Sequence, residues 1–416
     1  MTCSDTSMAG LRVKGHWRSR FTMSVPLCLL VILLLAVALA PLVNRSFNQR
    51  RAAGVIRQSG GQVSMSPRRW SDWVPSRLRS WIGEEYFDDV IAVDFQASSR
   101  LSSDQLRVLS RFGHLSRVDL RGSSIDNQAL AHLGELPCLL VLDLSDCAIG
   151  APGLTPRKAL RQLQDLTLSN TSVDDADLAA LSGLKNLQSL DLSGTSISDE
   201  GLRQLATLEQ LQSLNLADTR VTGTGLAQLS KLKNLVTVNL ERTKLASLRR
   251  LDKLRTLSLD GTQVGDRGMS DLGMIGVDPS PLSFLSLNDT QVGDAGLVHL
   301  KRFTALSYLG LKRTGVGDTA LPNLTGLANL NTLDLGGTGI GDPGLLCLSS
   351  LAKLRSLNMS GTKVSRAGVD QMSQLRPDIE LVLPHAVSRQ LALPVWNTSE
   401  PTGKKGNVNS RPGSAR

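Results

Sequence analysis

The sequence predicts an α/β solenoid, a right-handed coil with a parallel concave sheet and a helical convex side, preceded by one transmembrane helix. Three observations carry this. A short apolar-x-apolar step recurs with its second member at Phe95, Leu120, Leu144, Leu168, Leu192, Leu216, Leu240, Leu259, Leu287, Leu311, Leu335 and Met359, mostly 24 residues apart. Each step is followed by a turn and then by apolar residues at helical spacing. Residues 21–43 contain no charged side chain. Repetition at such a period marks units that cannot close a core alone and stack to do so.

The unit is clearest from Leu187 to Leu205 and reads LxxLxLxxTxVxDxGLxxL. Alternation along the strand sends Leu190 and Leu192 into the core and turns Ser189, Asp191 and Ser193 outward. A threonine column (171, 195, 219, 243, 262, 290, 314, 338, 362) follows the strands, where a short hydroxyl can bond the backbone of the turn. Asp199 and its equivalents Asp175, Asp266, Asp294, Asp318 and Asp342 open the next helix, where a carboxylate suits the positive helix end. Gly201 and its equivalents let the first helical turn pack closely on the sheet, and Leu202 and Leu205 form the buried helix stripe. All these columns read as structural.

This unit resembles leucine-rich repeats of the bacterial type with T-D-x-G-L helices, related to the cysteine-containing repeats of F-box substrate receptors. The lead-in Ile56-Arg-Gln-Ser-Gly60-Gly61-Gln-Val63, then Trp81-Ile-Gly83-Glu-Glu-Tyr86-Phe87, looks like the N-terminal cap of membrane-anchored leucine-rich-repeat proteins of planctomycete-like bacteria. The likeness covers about residues 54–383. It implies a leucine-rich-repeat solenoid that serves protein interaction; no F-box precedes the repeats, so a ubiquitin-ligase role does not carry over.

The chain divides into a basic cytoplasmic leader (1–20), a transmembrane signal anchor (21–43), a basic linker (44–53), an N-terminal cap (54–89), a solenoid of about twelve repeats ending in a closing strand (90–383) and a disordered Ser/Asn/Gly/Pro tail (384–416). The 23 residues of the span reach roughly 34 Å as a helix, enough to cross a hydrocarbon core. Fourteen of them are Leu, Ile, Val or Phe, an apolar gain on the order of 4–8 kcal/mol on insertion. Ala38-Leu39-Ala40 resembles a signal-peptidase site, but Pro41 would follow the cut, which favours an uncleaved anchor. Basic residues on both sides nearly cancel the charge rule; a short basic leader left in the cytoplasm puts the repeats on the extracytoplasmic side of the cell membrane. Trp70, Trp73, Trp81, Tyr86 and Phe87 gather in the cap, where an open first repeat needs covering.

The formal charge of +9 belongs to the flanks, since residues 82–383 carry a net −5. A basic face, the first requirement for nucleic-acid binding, is missing from the body. Cys3, Cys28, Cys138, Cys147 and Cys347 form no CxxC pair and no disulfide framework. No hydrolase, phosphate-loop, dinucleotide or zinc-protease motif occurs, His114, His132 and His299 stand singly, and Gly336 to Gly341 falls in turn columns. An enzyme, a cofactor and a resident metal are therefore not expected. Asp94, Asp119 and Asp143 stack along the sheet, where strands lie about 4.8 Å apart, and a hard cation is weighed there against a solvated acidic stripe, the reading adopted.

One interruption stands out. The interval from Leu240 to Leu259 is 19 residues and that from Leu259 to Leu287 is 28, so one helix is lost and the next connection enlarged around Pro279 and Pro281. The short unit carries Arg242, Lys244, Arg249, Arg250, Lys253 and Arg255. Just beyond it Phe284 and Tyr308 take the same outward position in adjacent strands. These two, with Arg255, Lys312 and Arg313 supplying charge, are the candidate partner site, and an acidic or amphipathic segment is the expected fit. The sequence thus points to a monomeric, membrane-tethered module binding a protein or peptide on a concave face roughly 55 Å long. The competing reading is a structural cell-envelope protein without a specific ligand.

Overall fold

The computed structural model describes residues 25–67, 76–77, 80, 83, 88–95, 101–125, 127–150, 160–248, 253–274 and 280–384; side chains in 25–43 are described only at Leu30, Leu33 and Ala40, and those of 127–129 are not described. A helix, α1 (Val25–Gln58), leads into β1 (Gln62–Pro67), which pairs antiparallel with β2 (Asp88–Asp94). Twelve strands of three residues follow in parallel: β3 (Arg117–Asp119), β4 (Val141–Asp143), β5 (Asp165–Thr167), β6 (Ser189–Asp191), β7 (Ser213–Asn215), β8 (Thr237–Asn239), β9 (Thr256–Ser258), β10 (Phe284–Ser286), β11 (Tyr308–Gly310), β12 (Thr332–Asp334), β13 (Ser356–Asn358) and β14 (Glu380–Val382). Their order in the sheet is their order in the chain.

Register follows the leucines. Leu190 pairs with Leu166 and Leu214, and Asp191 with Thr167 and Asn215, so the outward column from Asp94 to Asn358 runs unbroken as expected. Leu187, Leu190, Leu192, Leu202 and Leu205 are all buried, as are their counterparts in a single continuous core. The convex side is a mixture of short α-helices, such as Asp199–Leu205 and Asp266–Gly273, and 3-10 segments such as Asp177–Gly183 and Asp318–Leu324. A 3-10 turn spans more length per residue, which lets a 24-residue coil return over a convex side longer than its concave one. Between β8 and β9 no helix occurs among the described residues, in keeping with the short interval.

The threonine column does what its chemistry suggests. Each hydroxyl donates to the carbonyl three residues back, as in Thr195 to Leu192 (2.5 Å) and Thr314 to Leu311 (2.6 Å), and so occupies a buried acceptor. The residue before each threonine has positive φ, either glycine (Gly194, Gly261, Gly337) or a polar residue such as Asp218, Arg242, Asp289 and Arg313.

The aspartate and glycine columns work differently from the expected helix-end role. Asp175 accepts from Ser198 N (2.8 Å) and Ser198 Oγ (2.5 Å), Asp266 from Gly293 N (2.7 Å) and Gly296 N (2.9 Å), and Asp318 from Gly341 N (2.7 Å). Each carboxylate therefore caps the helix of the next repeat, not only its own. The glycine two places into that next helix is required because a Cβ there would strike the carboxylate: Gly201 against Asp175, Gly296 against Asp266 (2.7 Å), Gly344 against Asp318. Close approach to the sheet, the expected reason, is not the operative one. The ladder lapses at Gly223 and Ser247, beside the short unit.

Residues 44–53, expected to form a linker, are the continuing turns of α1. One face of these turns (Ser46, Gln49, Ala52, Ala53, Ile56) is buried against the first repeat, Gln49 Nε2 donates to Asp89 Oδ1 (3.2 Å), and Arg45 lies 3.8 Å from the same carboxylate. That face mixes polar Ser46 and Gln49 with small Ala52 and Ala53 and a single large apolar residue, Ile56, so no apolar stripe announced it. The described part of the cap is thus a docked helix with an antiparallel strand. Trp70, Trp73, Trp81, Tyr86 and Phe87 lie outside the described residues, as do 1–24 and 385–416. Of the expected span 21–43, the backbone from Val25 onward belongs to α1, and among the described residues no helix is long and apolar enough to cross a membrane.

The far end closes on Arg376, whose guanidinium donates to the carbonyls of Ser349 (3.1 Å), Leu351 (2.7 Å) and Leu354 (3.1 Å) and pairs with Asp378 (2.8 Å). β14 then continues the sheet beside β13.

Candidate functional site

Because β10 and β11 pair in parallel with Phe284 opposite Tyr308, the two rings leave adjacent strands in one direction. They stack with centroids 4.2 Å apart and planes 6° from parallel. Both side chains are half-buried. Flanking them in the same column are Thr256 and Thr332. A near-parallel stack of this kind adds to the burial of its rings and restrains both.

Small polar groups surround the pair. Asn288 Nδ2 donates to Asp260 Oδ2 (2.9 Å) and to Ser286 Oγ (2.9 Å), and Asn288 Oδ1 accepts from Lys312 N (2.8 Å). A Cβ at Gly310 would fall 2.8 Å from Ser286 Oγ and 2.9 Å from the Asn288 amide, so glycine at this strand position leaves room for that network. Burial, with Asp334 and Asp260 nearby, pushes the Tyr308 phenol above its ordinary pKa, against hydrogen bonds from Asn288 and Ser286. The hydroxyl stays a neutral donor at physiological pH.

The three expected cations are not equivalent. Lys312 is half-buried in the outward column beside Asn288 and Gly336. Arg313 is bound to Asp289 through both Nε and Nη2, the latter at 2.6 Å, and this pairing holds the Asp289 carboxyl below its ordinary range. Its charge is spent within the turn. Arg255 is exposed but precedes Thr256, outside the outward columns. Arg242 of the short unit repeats the Arg313 arrangement, with Asp218 at 2.7 and 2.5 Å; Arg249 and Arg250 lie outside the described residues.

Acids outnumber bases along the outward columns of the described sheet. Asp94, Asp119, Asp143, Asp165, Asp191, Glu241, Asp260, Asp334 and Glu380 face Arg117, Arg121 and Lys312. Among the described residues near the interruption, Arg242 and Arg313 are paired within turns, which leaves Lys312 as the base of the outward columns there. Asp94, Asp119 and Asp143 are also partly neutralised from within. Arg121 pairs with Asp143 (3.0 Å), its amide donates to Asp119 (3.0 Å), and Ser145 N donates to Asp143 (2.9 Å). Burial and the Asp119 charge raise the pKa of Asp94. Among the described residues no three acid, histidine or cysteine side chains cluster as metal ligands.

One contact escaped sequence reading. His132 Nε2 lies 3.1 Å from Ser103 Oγ, with Glu135 Oε1 3.7 Å from Nδ1. The carboxylate is beyond hydrogen-bond reach of the imidazole.

Residues 122–273 match a family described as leucine-rich repeat region, and residues 326–349 match a second described as leucine rich repeat. No curated protein matches the sequence. Among solved structures, an internalin of Listeria monocytogenes is similar over 76% of this chain and 97% of its own, at 18% identity and a TM-score of 0.51. A leucine-rich-repeat protein of Leptospira interrogans is similar over 68% of this chain and 81% of its own, at 16% identity and a TM-score of 0.45. The chain therefore has the fold of a leucine-rich-repeat solenoid.

Proposed function

We propose that this chain is a membrane-tethered interaction module, with the Phe284–Tyr308 stack as the apolar centre of a concave site for a protein or peptide. The observation that carries this reading is the stack itself. These are the two aromatic residues in the outward columns of the described sheet, they adjoin the irregular unit, and aromatic side chains anchor interfaces because they bury large area at little conformational cost. The acidic columns on either side select a partner segment with an apolar residue flanked by lysine or arginine. No residue in this reading does chemistry.

The tether is supported by the charge-free run 21–43 and by α1, which is one helix from Val25 onward with Leu30 and Leu33 exposed at 51% and 60%. The repeats then lie on the extracytoplasmic side of a cell membrane.

The test is partner capture from the parent cell's envelope extract by the full chain, with Phe284→Ser combined with Tyr308→Ser. Both positions are half-exposed and lie on three-residue strands whose neighbours carry serine or threonine, so the fold is retained. The reading expects a specific capture that weakens by about 2 kcal/mol or more when the anchors are removed and that falls with rising salt. Undiminished capture by the folded double variant removes the stack from the site, and absence of any specific partner returns the chain to an envelope-structural role.

A further inference from the structure

The junction between α1 and the solenoid leaves no spacer. The charge-free run ends at Val43, and Arg45, two residues on, already lies 3.8 Å from Asp89 and packs over Gly113 of the first repeat. Two residues of helix advance only about 3 Å. Asp89 is 7% exposed and receives Gln49 as well, and the buried face from Ser46 to Ile56 extends the contact for three further turns. Gln105, at the start of the first convex turn, donates to Ser59 just past the helix (2.8 Å). The helix is therefore bolted to the solenoid along its last four turns.

The opposite face of the same turns is exposed and of a different character. Phe47 is 60% exposed, Arg51 lies one turn beyond it, and Asn44 and Asn48 complete the stripe. From Val25 to Gln58 the helix has four arginines and no acid. The turn it packs on adds exposed Arg107 and Arg111, with Asp104 the one acid in that segment. An aromatic ring and a band of arginines directly beside an apolar run match the interfacial layer of a bilayer, where aromatics lie at headgroup level and basic side chains meet lipid phosphates.

We propose that the exposed stripe Phe47–Arg51, with Arg107 and Arg111 alongside, is a seat for anionic phospholipid headgroups, and that it holds the first repeat close to the membrane. This rests on the tether reading above. The occupant is the lipid surface itself, because the stripe is continuous with the run that enters it. The rest of the solenoid then projects from a fixed base, not from a swinging leash.

The experiment uses the full chain reconstituted in phosphatidylcholine vesicles with and without phosphatidylglycerol carrying a headgroup photocrosslinker, followed by alkaline carbonate extraction and mapping of crosslinked peptides. Expected are retention after extraction and crosslinks on residues 44–51 and 107–111. Phe47→Ser with Arg51→Gln should cut their yield on the order of fivefold or more, since the loss of one arginine's attraction to an anionic surface alone gives about that factor. Retention with crosslinks confined to residues before Asn44 overturns the seat and leaves the tether standing. Release by carbonate overturns both. A yield unchanged in the variant, or equal with a crosslinker on phosphatidylcholine, also overturns the seat.

Discussion

Asp199 accepts two hydrogen bonds from Thr222 of the following repeat, one from its amide at 2.7 Å and one from its hydroxyl at 2.5 Å. The same relation joins Asp175 to Ser198 and Asp342 to Ser365. It makes one repeat's helix depend on its predecessor's side chain, which is the nearest-neighbour coupling that lets a solenoid melt as a unit.

Gly201→Ala should destabilise the protein by about 2 kcal/mol, since the new methyl meets the Asp175 carboxylate and overpacking in a closed site costs in this range. Adding Asp175→Ala should recover part of the loss, because the obstacle leaves with the carboxylate. Thermal unfolding of the two single variants and the double variant gives the coupling directly. Strict additivity would mean that the clash is not with Asp175.

Leu190→Asp should be far more damaging than Asp191→Ala. The first buries a carboxylate in the aliphatic core, at a cost of several kcal/mol. The second removes bonds from Ser193 N (2.9 Å), Ser193 Oγ (2.6 Å) and Asn215 Nδ2 (3.0 Å) at a half-exposed site, for a loss of about 1 kcal/mol. Denaturant midpoints of the two variants check the order, and reversal would contradict the strand register.

Acid should weaken the turn ion pairs in a defined window. The guanidinium of Arg242 lowers the Asp218 pKa, and that of Arg313 lowers the Asp289 pKa, both from the ordinary 3.8. A depressed carboxyl contributes stability that is whole above the unfolded value and is lost as pH falls through the lower folded value. Asp218→Asn with Asp289→Asn should therefore be less stable than the parent at neutral pH, and the two stability curves should converge as pH falls below the lowered folded values. Asparagine tolerates the positive φ at both positions, so the backbone is undisturbed.

Cys147 should resist thiol reagents in the folded protein. It is buried in the column that later repeats fill with threonine, its Sγ donates to Leu120 O (3.1 Å), and burial pushes its pKa to about 11, which leaves almost no thiolate at neutral pH. Cys138 and Cys347 are less buried and should react first. Mass-spectrometric mapping after alkylation at pH 8, with and without denaturant, separates the three. Early labelling of Cys147 would mean that its turn opens readily.

Alternation within a strand depends on the chain's own geometry, so Leu190 inward, Asp191 outward and the side-by-side placement of Phe284 and Tyr308 were all readable from spacing. A constant 24-residue interval puts equivalent residues in adjacent strands without any knowledge of the coil. The destinations of charged side chains were not readable. Asp199 finds its partner 23 residues on and Arg313 finds Asp289 24 residues back, because the neighbouring coil is packed against them. Their local sequence reads equally well as a helix cap and a free surface cation. Nor did the arginine-rich stretch after Val43 reveal a docked helix, since its buried face joins Ser46 and Gln49 to Ala52, Ala53 and the single large apolar Ile56, a mixture whose hydropathy carries little periodic signal. Chain-local sterics decide which way a side chain points, whereas the neighbour that neutralises or covers it is decided only when the coils stack.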